Sequence, residues 1–257
     1  MKRLFSIIAA VAILSSCGIL QNLDSTALTY AAGNVLSAAT ITDDQIAQLS
    51  AQSVAQMDKE NKVNSGTYAQ RLSKLTKNLS VDGLSLNFKV YETSEVNAFA
   101  CGDGSIRVYT GLMDVMDDDE LMAIIGHEIG HVVHKDTKKA MQRAYMGCAA
   151  RNALIAAGGV VAALSASVVG ELADSFVSAQ YSQQQEYKAD EYGYQFAIDT
   201  GHSPYSMAKA LEKLVELNGN SATSSNVAKM FSSHPDSEKR ASIVRSKADS
   251  YVASQNK

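Results

Sequence analysis

The chain has 257 residues, 46% hydrophobic and 19% charged, with a formal net charge of −4. That length supports one substantial core with at most a small appendage. Two prolines and no tryptophan argue against a linker-rich multidomain protein, and the absence of a basic patch with interleaved aromatics excludes nucleic acid as an expected partner.

Lys2 and Arg3 precede an apolar run from Leu4 to Leu14, followed by Ser15-Ser16-Cys17. A charged start, a short apolar core and small residues make a secretory signal, and the core is too short to span a bilayer. Leu14-Ser15-Ser16-Cys17 also resembles the bacterial lipobox. That resemblance implies cleavage before Cys17 and a diacylglycerol on its sulfur. Gly18 is not the aspartate that would indicate retention at the inner membrane, so the expected address is the periplasmic side of the outer membrane. The expected organisation is a signal peptide over 1–16, a lipid-anchored tether over 17–41 and one folded domain over 42–257.

Thr42 or Asp43 can cap a helix running to about Asp58. Asn61–Gly66 breaks it, and Thr67–Leu79 makes another. After the turn at Asp82-Gly83 the period changes. Leu86–Tyr91 alternates as a strand does, and Val96–Cys101 and Ser105–Thr110 follow, joined by Gly102-Asp103-Gly104, a strong hairpin signal. The expected fold is therefore α+β and mostly α-helical, with a small sheet (edge hairpin about 86–110) beside the helix that follows. Asn97, Ala98 and Phe99 are the expected substrate-binding stretch, because a sheet edge can pair with an extended peptide. A purely structural hairpin is the alternative.

Asp117–Met141 reads as one helix, with Met122, Ile125, Ile129 and Val132 at helical steps and Asp117, Asp118 and Asp119 at its N-terminus. It carries His127-Glu128-Ile129-Gly130-His131. Residues four apart share a helix face, so His127 and His131 can hold one zinc ion, and Glu128 can reach a water beside the metal without being a ligand. That pattern is suited to peptide hydrolysis. Farther on, Ala153–Gly170 has no charged residue. Its small side chains favour a buried segment, a candidate lid, over a membrane span. Glu171–Thr200 reads as helix, closed by Gly201. It contains Glu186 and Asp190 on one face: Glu186 can complete a His-His-Glu set, and Asp190 can orient a ligand histidine. The next helix runs from Ser203-Pro204 to about Leu217, with Gly219 as its stop. Asn220–Asn226 is a polar loop, and a last helix, capped by Asp236 or Ser237, runs to about Tyr251. His134 is expected at the surface or behind the ligands, and His202, after the cap glycine, is expected to be solvent-exposed.

His127-Glu128-Ile129-Gly130-His131, Gln185-Glu186-Tyr187-Lys188-Ala189-Asp190, Ser233-His234-Pro235 and the hairpin around Asn97-Ala98-Phe99-Ala100 resemble, in order, the metallopeptidase family that contains the HtpX protease and the CAAX prenyl endopeptidase. The resemblance implies one zinc ion per chain on His127, His131 and Glu186, with Glu128 as general base. The transmembrane helices of those two enzymes have no counterpart here, so the chain looks like the soluble periplasmic lipoprotein branch.

The expected function is a zinc-dependent endopeptidase of the bacterial cell envelope, acting on misfolded or unassembled envelope proteins, with envelope assembly partners. The alternatives are peptide deformylase, which lacks a suitably placed ligand cysteine here, and a non-catalytic, metal-binding, chaperone-like lipoprotein. Pro235 biases His234 toward extended backbone. Its ring could donate to a developing oxyanion; the resemblance adds a gating role at the metal's open position, and a helix-capping histidine is the plain alternative. With Cys17 lipidated, Cys101 and Cys148 are either a disulfide or two buried thiols.

Overall fold

The computed structural model describes residues 41–81, 83–151 and 166–256. Cys17 and the tether before Ile41 lie outside these residues, as does most of the uncharged segment; only 166–170 of it is described.

Thr42 starts helix α1 (Asp43–Glu60) through a capping box with Gln45, which satisfies two N–H groups that a helix start otherwise leaves unpaired. Helix α2 (Thr67–Thr76) ends three residues before the expected Leu79. Three strands follow: β1 (Asn87–Tyr91), β2 (Ala98–Ala100) and β3 (Ser105–Tyr109). β2 and β3 form the expected antiparallel hairpin, with Phe99 opposite Arg107. β1 pairs in parallel with β3, which makes β3 the central strand.

Side chains alternate across this sheet and so feed two cores. Val90, Ala98, Ala100, Ile106 and Val108 join one apolar cluster with the following helices. Tyr91, Phe99 and Tyr109 join a second cluster with α1 and two later helices. Arg107, only 1% exposed, lies opposite Phe99 and grips Asp58 of α1 through Nε at 2.8 Å and Nη2 at 3.1 Å. Lys89 and the Tyr91 hydroxyl donate to the same carboxylate, each at 2.7 Å. The carboxylate thus ties α1 to the sheet with its charge compensated.

After the short helix α3 (Thr110–Val115) comes α4 (Asp118–Val133). Asp117 caps it in a box with Glu120, and every residue from Glu120 to Val132 is buried. The expected single helix from Asp117 to Met141 is in fact two. Lys135 adopts a left-handed conformation at φ 60°, and α5 (Asp136–Arg151) starts in a new direction. The stretch Glu171–Thr200 is likewise divided, into α6 (Ala166–Val177) and α7 (Gln183–Asp199). Ser182 provides the break by capping α7 in a box with Gln185.

α7 lies along α4. Its buried residues Glu186, Ala189, Asp190, Gly193, Tyr194 and Ala197 form one helical stripe. A Cβ on Gly193 would stand 2.7 Å from the Ala123 carbonyl oxygen and 2.9 Å from the His127 nitrogen. Only glycine permits this approach of the two backbones, and it brings Glu186 and Asp190 within reach of the α4 histidines. Gly201 ends the segment in the expected left-handed cap. Then come α8 (Ser206–Gly219), α9 (Ser224–Ser233) and α10 (Ser237–Gln255). α9 occupies sequence in which the loop was expected to extend to Asn226. Among the described residues no helix is long and apolar enough to cross a membrane.

Candidate metal centre

α4, α7 and the α9–α10 junction converge on one buried cluster. His127, His131, Glu186 and His234 each offer a ligand atom, and all these atoms lie within 4.8 Å of one another. The Nε2 atoms of His127 and His131 are 3.1 Å apart, as the one-turn spacing on α4 requires. Glu186 Oε1 is 3.2 Å from His131 Nε2, and Oε2 is 3.7 Å from His127 Nε2. His234, the C-cap of α9, places Nδ1 3.1 Å from Glu186 Oε1 and 3.4 Å from His127 Nε2. Its Nε2 turns toward Glu128, 3.8 Å from Oε1.

A second layer of charged groups surrounds the first. Asp190 Oδ1 lies 3.0 Å from His127 Nδ1, at ion-pair distance but off the axis of a well-formed hydrogen bond. Arg240 of α10 donates to both Asp190 oxygens, at 2.7 and 2.6 Å, and reaches Glu186 Oε2 at 2.5 Å. On the far side of His131, Asp136 Oδ2 is 3.5 Å from Nδ1, and Gln185 donates to Asp136 Oδ1 at 2.7 Å. Tyr181 stacks on the His131 ring with centroids 3.9 Å apart and planes 10° apart.

These contacts set the protonation of the cluster. Burial alone would push the Glu186 pKa up, but His234, His131 and Arg240 hold it far below the usual carboxylate range. Burial also opposes charge on His131, yet Asp136 and Glu186 raise its pKa to about 9. For His127, burial prevails and the pKa falls. Asp190 stays ionised against its burial because Arg240 pairs with it.

The donor set fits a divalent cation. Imidazole nitrogens and a carboxylate oxygen are the ligands zinc takes, and here they face one another within 4.8 Å. Around them Glu128, Glu186, Asp190 and Asp136 are all buried, and among the described residues Arg240 is the buried guanidinium set against them, paired with Glu186 and Asp190. Glu128 Oε1 is buried with no hydrogen-bond partner among the described residues. Such an excess of buried negative charge is costly unless a cation offsets it.

The sequence-predicted residues fall into place unevenly. His127, His131, Glu186, His234, Glu128 and Asp190 come together. Ala98 and Phe99 do lie on an edge strand and Asn97 stands just before it, but all three are buried. Their side chains serve the two cores and the Ala98 N–H, where Asn97 Oδ1 accepts at 3.0 Å. Cys101 and Cys148 are not bridged: both are buried thiols in the cluster under α1. Burial raises the Cys101 pKa well above its usual value. His202 is half-buried rather than exposed, 2.7 Å from Asp119 at the start of α4. His134 caps the end of α4 outside the cluster.

Sequence reasoning missed Asp136, Tyr181 and Arg240. A signal for Arg240 existed: it sits in the buried stripe of α10 with Ser237, Ala241, Val244 and Ala248. A cation at such a position demands a buried partner.

Residues 64–248 match the model of peptidase family M48. The chain is 38% identical to Metalloprotease LoiP of Escherichia coli (strain K12) over 248 residues, 95% of each chain. It is 30% identical to a Protease HtpX homolog of Pyrococcus abyssi (strain GE5 / Orsay) over 192 residues, 61% of this chain and 65% of that one. The Beta-barrel assembly-enhancing protease of Escherichia coli O157:H7 is 28% identical over 175 residues, 63% of this chain and 34% of that one. The family match covers all three motif stretches that build the cluster, and the chain belongs to peptidase family M48, as a metalloprotease.

Proposed function

We propose that this metalloprotease is a zinc endopeptidase of the bacterial cell envelope that cuts misfolded or unassembled envelope proteins. The observation that carries the reading is the convergence of His127, His131 and Glu186 beside the unpartnered carboxylate oxygen of Glu128. One zinc ion held by those three side chains would supply Lewis acidity, polarising a scissile carbonyl and acidifying a water.

The chain's own residues do the rest. Glu128 is buried in the site but stands outside the ligand cluster, so it is free to take the water's proton and later deliver it to the leaving amine. Asp190 and Arg240 hold His127 and Glu186 in place. The free edge of β2 can receive an extended peptide through its backbone. The Ala98 carbonyl and the Ala100 N–H and carbonyl turn away from β3, while Asn97 Oδ1 occupies the Ala98 N–H and the buried side chains of Ala98 and Phe99 fix the strand. His234 is read as a gate. With Nδ1 in the ligand cluster it would close the site with a fourth protein ligand. Withdrawn, its Nε2 side near Glu128 could donate to a developing oxyanion.

The envelope address is supported by residues 1–17, with Cys17 as the lipidated anchor on the periplasmic side of the outer membrane, and by the name of the β-barrel assembly-enhancing relative. Metal analysis with casein hydrolysis tests the chemistry. Chelation should abolish cleavage and one equivalent of zinc should restore it; cleavage that survives complete metal removal refutes the reading. Fractionation of cells expressing Cys17→Ser tests the address: the variant should leave the outer-membrane fraction, and unchanged retention refutes lipid anchoring.

A further inference from the structure

Each of the two α4 histidines has a buried carboxylate behind it, but only one of those carboxylates lies on a motif. Asp190, behind His127, comes from the same helix as Glu186. Asp136, behind His131, comes from a break in the chain. α4 stops at Val133, the His134 N–H bonds back to the Gly130 carbonyl at 2.9 Å, and Lys135 turns left-handed. An unbroken helix would place residue 136 five positions after His131, about 140° round the axis and away from its face. The turn at Lys135 instead folds Asp136 back under the His131 ring.

Asp136 is 2% exposed, although it begins a helix on a turn whose Lys135 is exposed. Its two oxygens are divided. Oδ2 faces His131 Nδ1 at 3.5 Å, and Oδ1 accepts from Gln185, the residue preceding Glu186, at 2.7 Å. The Lys139 ammonium adds a contact to Oδ1 at 3.3 Å. A carboxylate held this way accepts a hydrogen bond from the ring's Nδ1–H, which keeps the proton on Nδ1 and leaves Nε2, facing His127 and Glu186, as the nitrogen that would bind a metal. Tyr181 restrains the same ring from its face. Asp136 thus fixes the tautomer while Tyr181 fixes the plane.

We propose that Asp136 is a positioning residue of the metal centre: it locks His131 with Nδ1–H toward its carboxylate and Nε2 toward the metal, and through Gln185 it registers α5 against the start of α7. The proposal rests on the reading of His131 as a metal ligand. Carboxylate partners of this kind change metal affinity by about 10- to 100-fold when removed.

The test is zinc affinity, measured by competition with a chromophoric chelator, for wild type, Asp136→Ala, Asp136→Asn and His131→Ala. Asp136→Ala should bind zinc about 10- to 100-fold more weakly. Asp136→Asn should lose less, because its Oδ1 can still accept from Nδ1–H. A merely structural role would lower the Tm of metal-free and zinc-loaded protein by the same amount. The positioning role predicts in addition a smaller rise in Tm on adding zinc, since that rise follows the affinity. Zinc affinities of both variants within about twofold of wild type overturn the proposal; if Asp136→Ala does not fold, the Asn variant alone decides. His131→Ala separates the two layers of the argument. If it keeps wild-type affinity, the assignment of His131 as a ligand fails, and the role of Asp136 falls with it. If it loses zinc while the Asp136 variants do not, only the positioning role falls.

Discussion

Replacing Arg240 with methionine should destabilise the metal-free protein strongly, and zinc should recover much of the loss. Arg240 is 2% exposed and bridges Glu186 and Asp190, which are 0% and 2% exposed. Methionine replaces the aliphatic stem but not the charge, so two ionised carboxylates stay buried after the guanidinium is gone. Removing one partner from a buried ion pair costs about 3–5 kcal/mol. For a domain of this size each kcal/mol lowers Tm by about 2–4 °C, so the expected drop is about 6–20 °C. With zinc saturating the site, the cation takes over the charge of Glu186, leaving only Asp190 uncompensated. The gap between variant and wild type should then narrow. Thermal melts of both proteins with and without zinc check this. A metal-free Tm within about 2 °C of wild type would refute the reasoning that the charge of Arg240 holds these carboxylates.

Three further outcomes follow from the geometry. Gly193→Ala puts a methyl group against the α4 backbone, so it should cost about 1–3 kcal/mol and weaken zinc binding by moving Glu186; wild-type melts and zinc content would contradict the close-approach argument. Asp58 has a folded-state pKa below its usual 3.8: burial works against the charge, but Arg107, Lys89 and Tyr91 outweigh it. Its contribution is therefore present above the unfolded value and lost as pH falls through the lower folded one. Wild type should lose more stability than Asp58→Asn on acidification from about pH 5 to pH 3, and parallel losses in urea titrations would contradict this. For His234→Ala, a gate predicts zinc retained with equal or higher turnover of unstructured peptides, whereas an oxyanion role predicts lower kcat; unchanged kinetics at unchanged zinc content dismiss both.

The parts of the site that were legible in the sequence are those held by local geometry. His127, Glu128 and His131 lie on one helix whose start is marked by Asp117 and Glu120, and Glu186 and Asp190 lie one turn apart on another. The hairpin was legible from its glycine turn. What escaped depends on non-local contacts or on backbone conformations without a residue signature. The left-handed residue that ends α4 is Lys135, not glycine or asparagine, so the helical pattern runs on in the sequence and puts Asp136 on the wrong face. The parallel pairing of β1 with β3 joins strands separated by the hairpin, and alternation within each strand says nothing of order. Arg240 meets Glu186 and Asp190 only through the packing of α10 on α7. The β2 side chains turned inward because the sheet is covered on both faces, which three short strands do not announce.

The central claim is that Glu128 moves the proton while His127, His131 and Glu186 hold the metal. Purified Glu128→Gln, assayed for bound zinc and for casein hydrolysis beside wild type, tests it most directly. The account predicts one zinc per chain in both proteins and hydrolysis lower by a factor of about 100 or more in the variant. Wild-type turnover by the zinc-loaded variant, or loss of its zinc, would contradict it.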